Sequence, residues 1–218
     1  MIGEMESFDS HPPCRLCGTP LRHVALDLGM SPLCQTRVLP EQLDAREEFF
    51  PLRVRVCESC FLVQLAESVS PERLFQEYPY FSSYVDALVE SGRRYCEAVC
   101  ARFGLSAHSR VVEVASNDGY LLQHFVARGI PALGIEPAEN VAKAAIERGV
   151  PTLSRFFGRE TARFVAERDG RADLVLGNNV FAHVPDLNDF IAGLALLLAP
   201  GGVVTLEFPH LLTLLEGN

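Results

Sequence analysis

Four cysteines fall in two matched pairs, Cys14-Arg15-Leu16-Cys17 and Cys57-Glu58-Ser59-Cys60. A CxxC turn presents two thiolates at the bite a metal requires, so two such turns complete the tetrahedral four-thiolate set of a structural zinc site. The competing interpretations are four unconnected cysteines or a redox CxxC. Two copies are present, and the strand–CxxC–helix setting of a thioredoxin-type motif is missing, which favours metal. Cys34, between the pairs, is a spare ligand or a small buried apolar group. Cys96 and Cys100, four apart beside Val99 and Phe103, suit core packing.

A second constellation has different chemistry. The apolar run Val111-Val112-Glu113-Val114 breaks into Ala115-Ser116-Asn117-Asp118-Gly119. Such a turn offers backbone N–H groups at a helix start, with Gly119 allowing close approach of a ligand. Glu136 follows the next apolar run, where a carboxylate accepts hydrogen bonds from both hydroxyls of a ribose. Asn178-Asn179 closes a third run and leads into Val180-Phe181-Ala182-His183-Val184-Pro185-Asp186. No G-x-G-x-x-G occurs, so no cradle for a pyrophosphate is indicated. A cofactor with a ribose and no phosphate fits better, and S-adenosylmethionine is the common one.

The elements that position these groups follow from the beat of the chain after Ser109. Strands are predicted over Arg110–Ala115, Pro131–Glu136, near Thr152, over Ala172–Leu176 and over Val203–Phe208. Helices are predicted over Tyr120–Arg128, Glu139–Arg148, Arg159–Arg168 and Leu187–Leu198, the last stopped by Pro200-Gly201-Gly202. This alternation predicts an α/β fold, a parallel sheet covered by helices on both faces, with ligands beyond the carboxyl ends of the strands where strand order reverses. Upstream, the apolar positions from Pro71 to Phe103 fall near helical spacing and predict a helical link packing across two domains. Within it, Tyr78-Pro79-Tyr80-Phe81-Ser82-Ser83-Tyr84 reads as an aromatic hinge. Between Cys17 and Cys57 the 39 residues 18–56 are rich in Gly and Pro and are expected to hold little regular structure. Only Leu52–Val56 alternates as a strand does. The expected division is residues 1–70 for zinc, 71–105 as connector and 106–218 for the cofactor.

Bulk properties restrict the classes. A chain of 218 residues with 48% hydrophobic content buries a real core. A net charge of −9, and six Arg matched by six acids between His11 and Cys60, argue against nucleic-acid binding. No apolar run reaches membrane-span length, and the first dozen residues lack a signal-peptide pattern. Paired CxxC motifs without a disulfide framework suit the cytoplasm.

Taken in order, CRLCG, CESC, EYPYFSSYV, VVEVASNDGYLL, GIEP, LGNNVFAHVPDLNDF and LLAPGGVVTLEFPHL resemble the zinc-containing sugar C-methyltransferases over nearly the whole chain from Cys14 to His210. The resemblance implies a Rossmann-like class I methyltransferase sheet behind a small zinc-binding domain. It implies methylation at C3 of a nucleotide-linked 4-keto-deoxysugar, with a TDP-linked 4-keto-6-deoxyhexose as the expected partner. It also implies a cofactor set of Glu113, Ala115, Asn117, Gly119, Glu136, Pro137, Asn178 and Asn179. His183 matches the family's active-site histidine in N-x-x-A-H-V, and an imidazole is suited to removing the C3 proton. Taken alone, His183 fits a loop-ordering role equally well. Tyr78 matches a tyrosine near the sugar, whereas Glu207 and His210 are expected to be structural. Ala115 departs from the family's usual glycine and is expected to crowd the methionine end of the cofactor. Family members are about twice as long, so the chain is expected to lack their C-terminal domain and to leave the last strand with an open edge. The alternative from another class is a non-catalytic zinc- and cofactor-binding module serving as a partner or scaffold.

Overall fold

A computed structural model of the chain describes residues 11–34, 38–66, 69–75 and 78–217. The expectation of no signal peptide falls mostly on residues 1–10, outside the described residues. The chain divides into two compact units, Met1–Val69 and Ser70–Asn218.

The first unit is built on a three-stranded antiparallel sheet of β1 (His23–Pro32), β2 (Phe49–Val56) and β3 (Val63–Leu65), in that spatial order. β1 corrects the expectation of an unstructured insertion. Its pairing runs from His23 opposite Val56 to Pro32 opposite Phe49, with two register irregularities. The strand signal was present: Val24, Leu26, Leu28 and Met30 recur at period two. Gly29, left-handed at φ 76°, interrupts it, and Asp27 braces the bend by accepting from Gly29 N at 2.9 Å and Arg53 Nε at 2.8 Å. Those four apolar side chains are exposed. Among the described residues, the buried apolar cluster of the unit is Cys14, Leu21 and Cys57, with Cys60 and Leu62 at its margin.

The second unit is a parallel sheet in the order β6-β5-β4-β7-β8. Its strands are β4 (Val111–Val114), β5 (Ala132–Ile135), β6 (Thr152–Leu153), β7 (Ala172–Asn178) and β8 (Leu198–Glu207). Strand order reverses between β4 and β7, so the loops after these strands face a common switch point. Side chains alternate across β4. Val111 joins Cys96, Val99, Leu121, Leu122 and Phe125 in one core, while Val112 and Val114 join Ala162, Val165, Phe190, Leu194 and Leu197 in the other. These come from α2 (Asp86–Phe103) and α3 (Leu122–Val126) on one face, and from α5 (Arg159–Asp169) and α6 (Leu187–Leu197) on the other. Complete burial of a side chain such as Phe125 contributes ~2–3 kcal/mol, so the two-sided cover holds the strand ends firmly.

Three departures from expectation matter. The predicted continuous helix over 71–103 is split into α1 (Pro71–Phe75), a 3-10 turn at Ser82–Tyr84, and α2. Pro79 cannot continue a helix, and the whole stretch from Ser70 groups with the second unit. The last strand begins at Leu198, immediately after α6, and runs through Pro200 and Gly201 (φ 80°). Beyond it α7 (Leu211–Glu216) was not expected; its Leu212, Leu214 and Leu215 are exposed. Among the described residues no helix is long and apolar enough to cross a membrane.

Candidate functional site

The four predicted zinc ligands converge. Their sulfurs all lie within 4.8 Å of one another, with Cys14 3.6 Å from Cys60 and Cys17 3.5 Å from Cys57. Zn–S bonds of ~2.3 Å in a tetrahedron require sulfurs ~3.8 Å apart, so the donor set fits zinc closely. The two turns share one backbone plan. Gly18 N donates to Cys14 O at 2.9 Å, and Phe61 N donates to Cys57 O at 3.0 Å. The residue after each second cysteine is left-handed, Gly18 at φ 76° and Phe61 at φ 61°.

The surroundings of the thiols pull them in opposite directions. A hydrogen bond with the Thr19 hydroxyl, foremost, holds Cys17 down to about 6. For Cys60 the Leu62 backbone hydrogen bond pulls downward, but burial and the three other sulfurs override it and push the thiol up to about 12. Four sulfurs this close cannot all ionise without a compensating positive charge. Gln64, buried, supports the first turn: its Nε2 donates to Cys14 Sγ at 3.1 Å and its Oε1 accepts from Arg15 N at 2.9 Å. Nothing in the spacing of the sequence marked Gln64.

In the second unit the loop after β4 approaches β5 closely. A Cβ on Gly134 would lie 2.3 Å from Ser116 Oγ, so only glycine permits this approach. Ala115 (φ 57°), Asn117 (φ 50°) and Gly119 (φ 76°) are all left-handed. Glu136 is buried and receives Asn117 N on Oε2 and Ala138 N on Oε1, each at 3.0 Å. Burial pushes its carboxyl up against the pull of those two N–H groups. Each oxygen keeps a lone pair for a further donor. Pro137, next in chain, accepts Ser154 Oγ at 3.4 Å.

Glu113 is the outlier. It lies within β4 on the same face as Val111, fully buried, and both carboxyl oxygens lack a hydrogen-bond partner among the described residues. Ser116 Oγ, also buried, is likewise unpartnered. Burial first, then the charges of Glu136 and Asp118, raise the Glu113 carboxyl well above its ordinary 4.5. Two phenols are near enough to feel it. Tyr120 is pushed up to about 12 by burial and the Glu113 charge while hydrogen-bonded to Asn178. Tyr95, raised chiefly by burial, pairs with the Thr205 hydroxyl. Neither phenol was singled out from the sequence; Tyr120 directly follows Gly119, and that adjacency was the available signal.

Asn179, left-handed at φ 53°, donates through its backbone N to Glu207 O at 2.7 Å and through its side chain to Glu207 Oε1 at 3.4 Å. His183 ends the 3-10 turn Phe181–His183 after β7 and is exposed. Phe181 anchors that turn against Phe190 and Phe208, at ring separations of 5.7 and 6.1 Å. His210 caps α7, its ring accepting from Thr213 N at 3.3 Å.

The side chains of Asn117 and Asp118 turn toward the Tyr78–Tyr84 segment. Asn117 Oδ1 accepts Ser82 N at 2.8 Å and Nδ2 donates to Tyr80 O at 3.1 Å. Asp118, fully buried, accepts Ser83 Oγ at 2.5 Å and pairs with Arg148 at 2.5 Å. Asn140 makes a similar pair with Tyr78, accepting from its N at 3.2 Å and donating to its O at 2.8 Å. Tyr78 is thereby brought beside the loop after β5.

Sheet order, helices on both faces and polar groups gathered at the switch point define a class: a Rossmann-like methyltransferase unit preceded by a four-cysteine zinc module. Comparison with known proteins agrees. A family described as "Putative zinc binding domain" matches residues 14–75, and one described as "Methyltransferase domain" matches residues 88–214, more than half of the chain. The chain belongs to the methyltransferase domain family. It is 36% identical over 205 residues to the C-methyltransferase NovU of Streptomyces niveus, covering 94% of this chain and 49% of that one. It is 29% identical over 116 residues to the ubiquinone biosynthesis O-methyltransferase of Rhodopseudomonas palustris, covering 50% of this chain and 46% of that one. The chain spans about half the length of these relatives. Among solved structures, Streptomyces venezuelae DesVI aligns with a TM-score of 0.43 at 21% identity, covering 59% of this chain and 58% of that one. A methyltransferase from Thiobacillus denitrificans in complex with S-adenosyl-L-homocysteine aligns with a TM-score of 0.43 at 18% identity, covering 64% and 56%.

Proposed function

We propose that the chain is an S-adenosylmethionine-dependent C-methyltransferase acting at C3 of a nucleotide-linked 4-keto-deoxysugar, with a TDP-linked 4-keto-6-deoxyhexose as substrate. The observation that carries the cofactor assignment is the unpartnered Glu113 carboxyl at the switch point. A cationic ligand with a free ribose suits Glu113 and Glu136: the ribose finds acceptors on Glu136, and the positive charge lowers the cost of ionising Glu113. Similarity to a C-methyltransferase over nearly the whole chain supports carbon as the acceptor.

In this reading Glu136 accepts the ribose hydroxyls, and Glu113 faces the cationic amino-acid end. Gly119, Pro137, Asn178 and Asn179 line the remainder. When bound, the cofactor supplies an electrophilic methyl group on a sulfonium. The chain's own residues prepare the nucleophile. His183 takes the C3 proton; the C–H electron pair passes into the enolate, whose oxygen the Tyr78 phenol stabilises by donating a hydrogen bond. C3 would then bond to the methyl carbon as the carbon–sulfur bond breaks with its electron pair left on sulfur, and the imidazolium returns its proton to solvent. The zinc module has a folding role and lies outside the chemistry.

Titration with S-adenosylhomocysteine, followed by turnover of labelled cofactor with the TDP-linked ketosugar and location of the label by NMR, tests the proposal. A new methyl carbon on C3 is expected. Label on oxygen or nitrogen would overturn carbon transfer, and absence of binding at high-micromolar ligand would overturn the cofactor assignment. Zinc and homocysteine-ligand binding without turnover would favour the non-catalytic module.

A further inference from the structure

We infer that Asn117 and Asn140 are positioning residues that latch the Tyr78–Tyr84 segment across the loops after β4 and β5, setting the aromatic segment by its backbone. This rests on the proposed function only for what the phenols face; the latch itself is a matter of hydrogen bonds.

Three observations lead to it. A segment broken by Pro79, regular only in the 3-10 turn Ser82–Tyr84, must find partners elsewhere for its other backbone N–H and C=O groups. It finds them on two asparagines, Asn117 in the loop after β4 and Asn140 in the first turn of α4 (Glu139–Glu147), the helix after β5. Asn140 takes both backbone groups of Tyr78, and Asn117 takes Tyr80 O and Ser82 N. Asp118 adds Ser83 N at 3.3 Å. An asparagine amide suits this role because it offers one acceptor and one donor side by side, as a neighbouring strand would. Aspartate would lose the donor.

Secondly, two phenols of the fastened segment stay exposed. Tyr80 is 43% exposed and Tyr84 76% exposed, although the backbone between them is held. Fixing a backbone while presenting phenols is the geometry of a wall built for a polar acceptor. Thirdly, the anchors belong to the cofactor loop itself. Asn117 binds the segment with its side chain while its backbone N–H holds Glu136 at 3.0 Å. A ligand on Glu136 therefore stiffens the residue that grips Ser82. Cofactor occupancy and the placement of Tyr80 and Ser82 become parts of one hydrogen-bonded unit.

The test compares wild type with Asn140→Ala and Asn140→Asp, using the full chain. Amide hydrogen exchange resolved over residues 78–84 is measured first without ligand. Loss of two hydrogen bonds is expected to speed exchange at Tyr78 about tenfold or more, with Ser82 and Ser83 less affected. Asn140→Asp, which keeps the acceptor for Tyr78 N–H, should restore most of the protection. Adding S-adenosylhomocysteine to wild type should slow exchange at Ser82 and Ser83. In turnover, Asn140→Ala should lower kcat with the cofactor KM changed less than about threefold. Unchanged exchange at Tyr78 in Asn140→Ala would overturn the latch. Equal losses in cofactor affinity and kcat would also overturn it, because they would mark a general structural defect. Failure of the ligand to bind wild type would refute the proposed function, while the ligand-free exchange would still decide the latch.

Discussion

Replacing Glu113 by Gln should make the protein more stable and a poorer binder at once. The carboxyl is fully buried, unpartnered among the described residues, and raised well above 4.5 by burial and by the charges of Glu136 and Asp118. The unfolded chain gives up this proton near the ordinary value, while the folded protein keeps it to higher pH. The folded state therefore binds more protons, and stability is greatest below the unfolded pKa and is lost as pH climbs toward the folded one. The loss is ~1.4 kcal/mol for every pH unit across that window. Gln keeps the neutral shape and removes the titration. Stability curves of wild type and Glu113→Gln should meet near pH ~4.5 and diverge above it, with the variant more stable. Glu136 is also raised and is retained, so a shallower slope of the same sign persists. The variant should also lose the charge proposed to face a cationic ligand, worth ~1.5–3 kcal/mol for a charged hydrogen bond, or roughly 10- to 100-fold in affinity. Urea melts of the second unit at several pH values, beside calorimetric titration with S-adenosylhomocysteine, read both effects. A variant less stable than wild type near neutral pH, or one binding the ligand as tightly, would refute this reasoning.

Three further outcomes are expected. Cys57→Ser should abolish stoichiometric zinc and open residues 23–56 to trypsin while the second unit stays folded, since structural zinc contributes ~10 kcal/mol or more to small modules; resistance to cleavage after strong chelation would contradict this. Ala115→Gly should raise the melting temperature by about 2–4 °C, because a left-handed alanine costs ~1 kcal/mol; a calorimetric scan showing a lower transition would remove strain as the explanation. His183→Asn should reduce kcat about 100-fold or more while leaving homocysteine-ligand affinity within about twofold; a mild loss would point to acceptor chemistry that needs no C–H base.

What the sequence revealed and what it hid separate along one physical line. The sheet was legible because its strands carry local apolar runs, and because β4, β5 and most of β7 lie buried between helices. The zinc set was legible because CxxC spacing fixes ligand bite without reference to the rest of the chain. β1 was overlooked although Val24, Leu26, Leu28 and Met30 alternate, since the glycine and proline content around them suggested loop. The seat of the Tyr78–Tyr84 segment could not be foreseen. It depends on Asn117 and Asn140, 35 and 62 residues from their partners, and amide side chains announce no partner at such separations. Glu113 was tied to the cofactor only by resemblance; its isolation inside the sheet is a property of the fold.

The β4 loop shows how a site can form with alanine and asparagine at positions whose conformation favours glycine. Ala115 and Asn117 both hold left-handed conformations that cost ~1–2 kcal/mol apiece for residues with a Cβ, less for asparagine. Neither would adopt them from local preference. Each is held by contacts made outside the loop: Ala115 N donates to Ile135 O at 2.8 Å, and Asn117 is held at its backbone by Glu136 and at its side chain by Tyr80 and Ser82. These hydrogen bonds, at ~1 kcal/mol each, are enough to offset the strain only when made together. The loop, the Glu136 carboxylate and the aromatic segment must therefore become ordered as one cooperative unit. Weakening any one of the three should loosen the other two.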